Sequence, residues 1–221
     1  MRWPDPMLPA IAKLLPPGYS LWQLSRLDVQ KLTRKVLEWH PNIRHGDGAR
    51  FTRAEYYLNS VSLKHEIARD TVVYVGRKND ELVCMVCVER DCDTKDLYGR
   101  LGIVDPLHRR SGVGIIVMEL IEHIAQALGM ANVYTYATLH DSAVQHLLEK
   151  AGYTPVGVIP GRDREYIQTR NEIVRVSEVL YLKSFSRSER ILTPSPKNMT
   201  TAVKKIWRSI NSNDSSESEV G

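Results

Sequence analysis

Cysteine is scarce. Three in 221 residues are too few for the disulfide framework of a small secreted domain and suit a reducing, cytoplasmic compartment. Cys84 and Cys87 have the spacing of half a zinc site, but no second pair accompanies them, and in the apolar strand they occupy their side chains should point to opposite faces. A metal is therefore not expected. No run of about 18 apolar residues occurs, so a transmembrane segment is not expected either. Pro4, Pro6, Pro9, Pro16 and Pro17 interrupt the N-terminus and leave no apolar core for a signal peptide. Charge of one sign is also missing: 30 Lys and Arg face 26 Asp and Glu, for a net +4. That suits small anionic ligands and argues against nucleic acid as a partner. Two familiar phosphate loops are absent, because no Gly-Lys-Ser/Thr follows a glycine loop and Gly112-Val113-Gly114 lacks the third glycine of a dinucleotide fingerprint.

What the chain does have is the stretch from Leu97 to Leu128. An apolar strand (Leu101, Ile103, Val104) breaks at Asp105-Pro106, where proline ends strand pairing. A basic, glycine-bearing turn follows, Arg109-Arg110-Ser111-Gly112-Val113-Gly114. Then Val113, Ile116, Val117, Leu120, Ile121, Ile124 and Leu128 recur at helical spacing and mark one apolar stripe. A strand, a turn and a helix N-terminus make a natural anion site: the first helical N–H groups lack intrahelical partners, and the helix dipole is positive there. Arg109 and Arg110 add charge beside it.

The remaining chain reads as alternating elements. Tyr19 to Leu24 is a first strand. Asp28 is positioned to cap a helix reaching about Glu38, with Val29, Leu32 and Val36 inward. Trp39 to Arg50 reads as a loop, and Thr52-Arg53-Ala54-Glu55 as a capping box opening a second helix. Thr71–Arg77 and Glu81–Arg90 are strands about the turn Lys78-Asn79-Asp80. Val133–Thr138 is a strand followed by the helix HDSAVQHLLEKAGY. Pro160 to Arg170 reads as a polar loop before a last strand, Ile173–Lys183. The expected organisation is a proline-rich extension over 1–18, one domain over 19–185 and a Ser-rich tail over 186–221. Near 200–211 that tail carries a short amphipathic helix with Val203, Ile206, Trp207 and Ile210 on one face. It would dock on its own domain, on a dimer mate as in a homodimer, on a membrane surface or on a separate partner.

Val104-Asp105-Pro106 with Arg109-Arg110-Ser111-Gly112-Val113-Gly114 resembles motif A of the GNAT superfamily of acyl-CoA N-acyltransferases, and Leu148-Glu149-Lys150-Ala151-Gly152-Tyr153 is similar to a second block of that family. The clear resemblance covers Leu97 to Tyr153. It implies an α/β GNAT-type fold, with a mixed, mostly antiparallel central sheet flanked by helices and parallel only where the strands on either side of the motif A helix meet. It also implies acetyl-CoA as co-substrate and a small-molecule or peptide primary amine as acceptor.

By that resemblance, Arg109 and the backbone of Arg110, Ser111, Gly112, Val113 and Gly114 would hold the pyrophosphate. Ile103 and Val104 would offer backbone groups to pantetheine, and Asp141, aligned with a cofactor-binding Asn, would either touch the cofactor or cap its helix. Many members place a Glu eleven residues before the motif Arg; here that position is Tyr98, a poor base at neutral pH. Proton removal would then pass by water toward Asp96, Glu89 or a histidine, with His140 the leading histidine. Leu148 stands where many relatives have a proton-donating Tyr, leaving water, His140 or Tyr136 to serve the thiolate. Arg44, Arg162 and Arg164, on the loops expected to wall the acceptor pocket, would read an anionic group on the acceptor, or would simply be solvated. Three activities fit: acetyl transfer to an amine, a non-catalytic acyl-CoA-binding regulatory module, and an acyltransferase with a longer acyl donor, accommodated by Gly99 and Gly102, or with a nucleic-acid-associated acceptor.

Overall fold

The computed structural model describes residues 2–185 and 192–211; the parts of the expected Ser-rich tail at 186–191 and 212–221 lie outside the described residues. Eight strands form one sheet: β1 (Tyr19–Gln23), β2 (Val61–Ser62), β3 (Thr71–Lys78), β4 (Glu81–Asp91), β5 (Asp96–Val104), β6 (Asn132–Thr138), β7 (Thr154–Ile167) and β8 (Glu172–Ser184). Their order is β1-β3-β4-β5-β6-β8-β7, with β2 beside β3. The helices are α1 (Pro9–Leu14), α2 (Val29–Trp39), α3 (Ala54–Ser60), α4 (Val113–Ala127), α5 (Ala143–Lys150) and α6 (Thr201–Asn211). The sheet is mixed and mostly antiparallel. β5 and β6, on either side of α4 in the chain, run parallel as expected, and the short β2 adds a second parallel contact, with β3.

Both faces of the sheet are covered, which explains why β4 is apolar throughout instead of alternating. Cys84, Val86 and Val88 face the core beneath α4, whereas Met85 and Cys87 face the core beneath α2 and α3. The two cysteines thus lie on opposite faces, and burial pushes both thiols up to about 12. On α4 the buried side chains are Val113, Ile116, Val117, Leu120, Ile121, Ile124 and Ala125, with Leu128 buried just beyond the helix; all but Ala125 belong to the stripe read from periodicity. Each buried Val, Ile or Leu is worth about 1.5–3 kcal/mol, enough together to hold the helix start in place. The proline-rich start also packs: Trp3 and Ile11 join the core beneath α4, and Trp3 donates its indole N–H to the Arg69 carbonyl at 2.8 Å.

Four local expectations are corrected. Asp28 does not cap α2 through its side chain; its carboxylate accepts from Ser25 Oγ at 2.6 Å and pairs with Arg77 at 2.7 Å. The capping box at Thr52 does not form, because Thr52 Oγ1 donates back to the Ala49 carbonyl and Arg53 occupies the cap. Trp39–Arg50 is largely ordered into 3-10 turns at Pro41–Arg44 and Asp47–Thr52. Finally, Pro160–Ile167 is not a loop but the second half of the long edge strand β7. A register irregularity between Ile159 and Asp163 and ion-paired side chains hide its alternation. Arg162 and Arg164 therefore sit on a strand.

Candidate active site

β5 and β6 pair only from Asp96↔Asn132 to Gly99↔Thr135. Beyond that point β5 continues against β4 up to Val104↔Cys84, while β6 continues against β8 up to Thr138↔Glu178. The strands diverge, and among the described residues no strand lies beside Arg100 to Val104 on the β6 side. Two residues set the divergence. Gly99 permits close approach, since a Cβ there would lie 2.9 Å from Thr135 Oγ1. Arg100 is the extra residue of a bulge, for Cys87 pairs with Leu101 and Val88 with Gly99; such a bulge bends its strand. Gly102, at the open part, has nothing within 4 Å of where a Cβ would stand, whereas the space at Gly99 is filled by Thr135.

The divergence opens toward the turn before α4. Asp105 organises that turn: its backbone N–H reaches the Val83 carbonyl at 2.8 Å, and its Oδ1 accepts from Leu107 N–H at 2.9 Å. The side chain of Ser111 donates to the His108 carbonyl at 2.6 Å, bracing the turn, and His108 Nδ1 lies 2.7 Å from the Tyr19 hydroxyl. Arg110 and Gly112 both have positive φ, 62° and 89°, the left-handed backbone found in concave anion sites. The free N–H groups of the first turn of α4 follow directly. Arg109 and Arg110 are exposed, and Arg109 Nε reaches the Val104 carbonyl at 3.4 Å. Gly114 faces Leu147 of α5. The residues predicted to hold a pyrophosphate are thus brought together, with Ile103 and Val104 on the unpaired strand leading into them.

On the sheet face that carries α2 and α3, the divergence is lined by side chains of five strands, β4 to β8. Tyr98 stacks on Tyr134 with centroids 5.7 Å apart, and the Arg100 guanidinium lies 5.1 Å from the Tyr98 ring while bonding Glu89 at 2.8 Å. Burial, then Asp96 and Asp91, raises the Tyr98 hydroxyl above its ordinary value, so it is a still poorer base than a free phenol. Arg162 lies 3.8 Å above the Tyr136 ring, donates to Glu178 Oε2 at 2.6 Å and stands 3.6 Å from Asp47 Oδ2. Asp47 also pairs with Arg50, and its backbone N–H reaches Asp163 at 2.7 Å. Arg162 is therefore already neutralised within the protein. Arg44 and Arg164 are exposed on the rim.

The other predicted residues separate. His140 follows the end of β6, with Nδ1 3.4 Å from Glu165 Oε2 of β7. Asp96 is not at the divergence: it begins β5, accepts from Asn132 Nδ2 at 2.7 Å, and Asn132 is bonded in turn by Ser184. That network ties three strands at their closed end, roughly 13 Å from Arg100 at the usual rise per residue. Asp141 Oδ1 accepts from Ala143 N–H at 2.8 Å, at the start of α5. Leu148 is buried in the core. Glu178 was missed by sequence reasoning, although a lone carboxylate in the stripe Val174, Val176, Glu178, Leu180, Leu182 was a signal for it. Gln145, whose amide bonds the Thr138 carbonyl at 2.9 Å, carried no such signal.

A model of the Acetyltransferase (GNAT) family matches residues 34–153, more than half of the chain. The chain belongs to the GNAT family. Solved structures with the same GNAT architecture include a spermidine N-acetyltransferase variant from Vibrio cholerae, at 11% identity and TM-score 0.58, covering 76% of this chain and 95% of that one. The ribosomal-protein-S18-alanine N-acetyltransferase of Escherichia coli superposes at TM-score 0.55 with 15% identity, covering 79% and 99%. The IAA acetyltransferase of Bacillus cereus does so at 0.54 with 12% identity, covering 76% and 99%. At these identities the likeness establishes the fold. No match was found among curated proteins by sequence. Among the described residues of this GNAT chain, no helix is long and apolar enough to cross a membrane, and no cluster of metal-capable side chains occurs.

Proposed function

We propose that the protein transfers an acetyl group from acetyl-CoA to a primary amine by direct attack in a ternary complex. The observation that carries this reading is the divergence of β5 and β6 after Gly99 and Thr135, opening onto the left-handed turn before α4. An extended, amide-bearing arm can add to the unpaired edge of β5 through Ile103 and Val104, while its pyrophosphate meets the backbone of Arg110 to Gly114 beside Arg109. Asp141 would approach the same arm from the start of α5.

Amine attack on the thioester carbonyl forms the new N–C bond, and collapse breaks C–S. A backbone N–H of β5 would steady the oxyanion, and fixed geometry supplies much of the rate. A thiol that ionises near pH ~8.5 leaves as thiolate without a dedicated acid, so the buried Leu148 is no obstacle. Tyr98 would wall the pocket, Asp96 would hold the strand pair in register, and His140, oriented by Glu165, would pass protons to solvent. Arg44 and Arg164 would meet the acceptor only at the rim. Gly102, open where a side chain would be, favours a second reading in which longer acyl chains are accepted.

Thiol release from acetyl-, butyryl- and hexanoyl-CoA against a panel of amines tests both. Turnover with acetyl-CoA is expected. Binding of acetyl-CoA with no turnover on any amine would reduce the protein to a non-catalytic acyl-CoA module, and no binding would overturn the proposal.

A further inference from the structure

Glu178 is a charged side chain set in the middle of an apolar strand stripe and 13% exposed. One oxygen, Oε2, accepts from Arg162. Oε1 has no donor among the described residues, and it is not closed off from solvent. An ionised carboxylate held in this way still seeks a second charged donor. Burial raises the Glu178 carboxyl above its ordinary value in spite of Arg162, with Asp163 and Asp47 pushing the same way.

Its position is as telling as its chemistry. Glu178 is on the acceptor face, opposite Thr138 of β6, and its partner Arg162 rests on Tyr136, the first residue of β6 after the strands part. Beside it the Tyr98–Tyr134 stack offers an apolar shelf. Every arginine turned into this space is paired: Arg100 with Glu89, Arg162 with Glu178, Arg50 with Asp47. Among the described residues, a carboxylate or phosphate on the acceptor would find no unpaired cation there and would face Glu178, Glu89 and Asp47.

We propose that Glu178 Oε1 receives the ammonium of the acceptor and takes its proton, Arg162 being the positioning residue, and that the acceptor is a primary amine on an apolar or aromatic stem with no anionic group beside the nitrogen. Glu178 takes one proton from R–NH3+, and the freed lone pair attacks the thioester carbon. As the C–S bond breaks, a second proton leaves nitrogen through water for the thiolate. The products are the amide and CoA thiol, and Glu178 returns its proton to solvent. This step rests on the acetyl transfer proposed above.

The test compares three probes sharing one stem: 2-phenylethylamine, 2-phenylethanol and phenylalanine. Each is titrated by calorimetry into the full chain saturated with CoA, and the two amines are assayed for thiol release from acetyl-CoA. Phenylethylamine should bind at least tenfold more tightly than either analogue and should be acetylated. Glu178→Gln should lose at least tenfold in that affinity, Glu178→Asp should recover part of it, and both should bind acetyl-CoA within twofold of wild type, which also reports that they fold. Equal binding of phenylalanine, an unchanged Glu178→Gln, or no phenylethylamine binding to a CoA-loaded protein would overturn the inference while leaving acetyl transfer standing. Failure of the wild-type chain to bind acetyl-CoA would instead remove the reading beneath it, and this inference with it.

Discussion

Trp39 donates its indole N–H to Asp105 Oδ2 at 2.9 Å. The bond joins the last residue of α2 to the residue at which β5 gives way to the turn before α4, and the second oxygen of Asp105 already holds Leu107. One carboxylate thus fixes the turn against α2, a helix on the sheet face opposite α4. Asp105→Ala should cost about 1–2 kcal/mol of stability by urea unfolding, the usual scale for a lost cap with a buried donor left behind. Acetyl-CoA affinity should fall about tenfold, near 1.4 kcal/mol. Trp39→Phe, which keeps one aromatic ring and removes the donor, should produce the smaller change in both.

Gly112 and Gly114 differ in kind. Gly112 has φ 89° with open space around it, whereas Gly114 is helical and a Cβ there would meet Leu147 Cδ2 at 3.4 Å. Gly112→Ala should therefore cost roughly 1–2 kcal/mol from backbone conformation alone and weaken acetyl-CoA binding. Gly114→Ala should be nearly neutral in stability, so that any loss of cofactor affinity it shows reports contact with the ligand. Calorimetry and urea melts on the pair separate the two effects.

The three cysteines should react in two classes. Cys92 is exposed, while Cys84 and Cys87 are buried with thiols pushed up to about 12. At pH 8 the thiolate fraction at such a value is on the order of one in ten thousand. Iodoacetamide should label one site on the native chain and three after denaturation, counted by mass spectrometry. Prompt labelling of all three in the native protein would contradict the packing of β4.

Trp3 is wedged beneath Arg90, whose guanidinium lies 4.8 Å from its ring and pairs with Asp70. Trp3→Ala should cost about 3 kcal/mol, the scale of a large-to-small change in a core. A melt unchanged by this substitution would show that the N-terminal stretch contributes little to the domain.

These contrasts also explain what could be read in the sequence. The stripe of α4 was legible because seven side chains repeat at one period and nothing competes with it, and the turn before it because Pro106 ends the strand and Gly112 permits a left-handed backbone, each by itself. Opposite faces for Cys84 and Cys87 followed from strand alternation alone. β7 was illegible from Pro160 on because its polarity is satisfied by tertiary partners: Arg162 needs Glu178 and Tyr136, and Asp163 needs the backbone of Asp47. Asp28 and Thr52 were good caps on local grounds, but Arg77, Ser25 and the Ala49 carbonyl took their side chains. Local sequence cannot report a competitor that arrives from elsewhere in the chain.

The bulge at Arg100 has an odd arithmetic. Removing that one residue would leave Gly99 and Leu101 consecutive, still opposite Val88 and Cys87, and every remaining side chain of β5 would keep its present face. Neither core would notice the loss, and the ladder with β4 would become regular. A straighter β5 could then continue alongside β6 and close the gap between them. The deletion would thus make a tidier sheet out of an open one. By that measure Arg100 is surplus to both cores, and the irregularity it introduces falls at the point where β5 and β6 part.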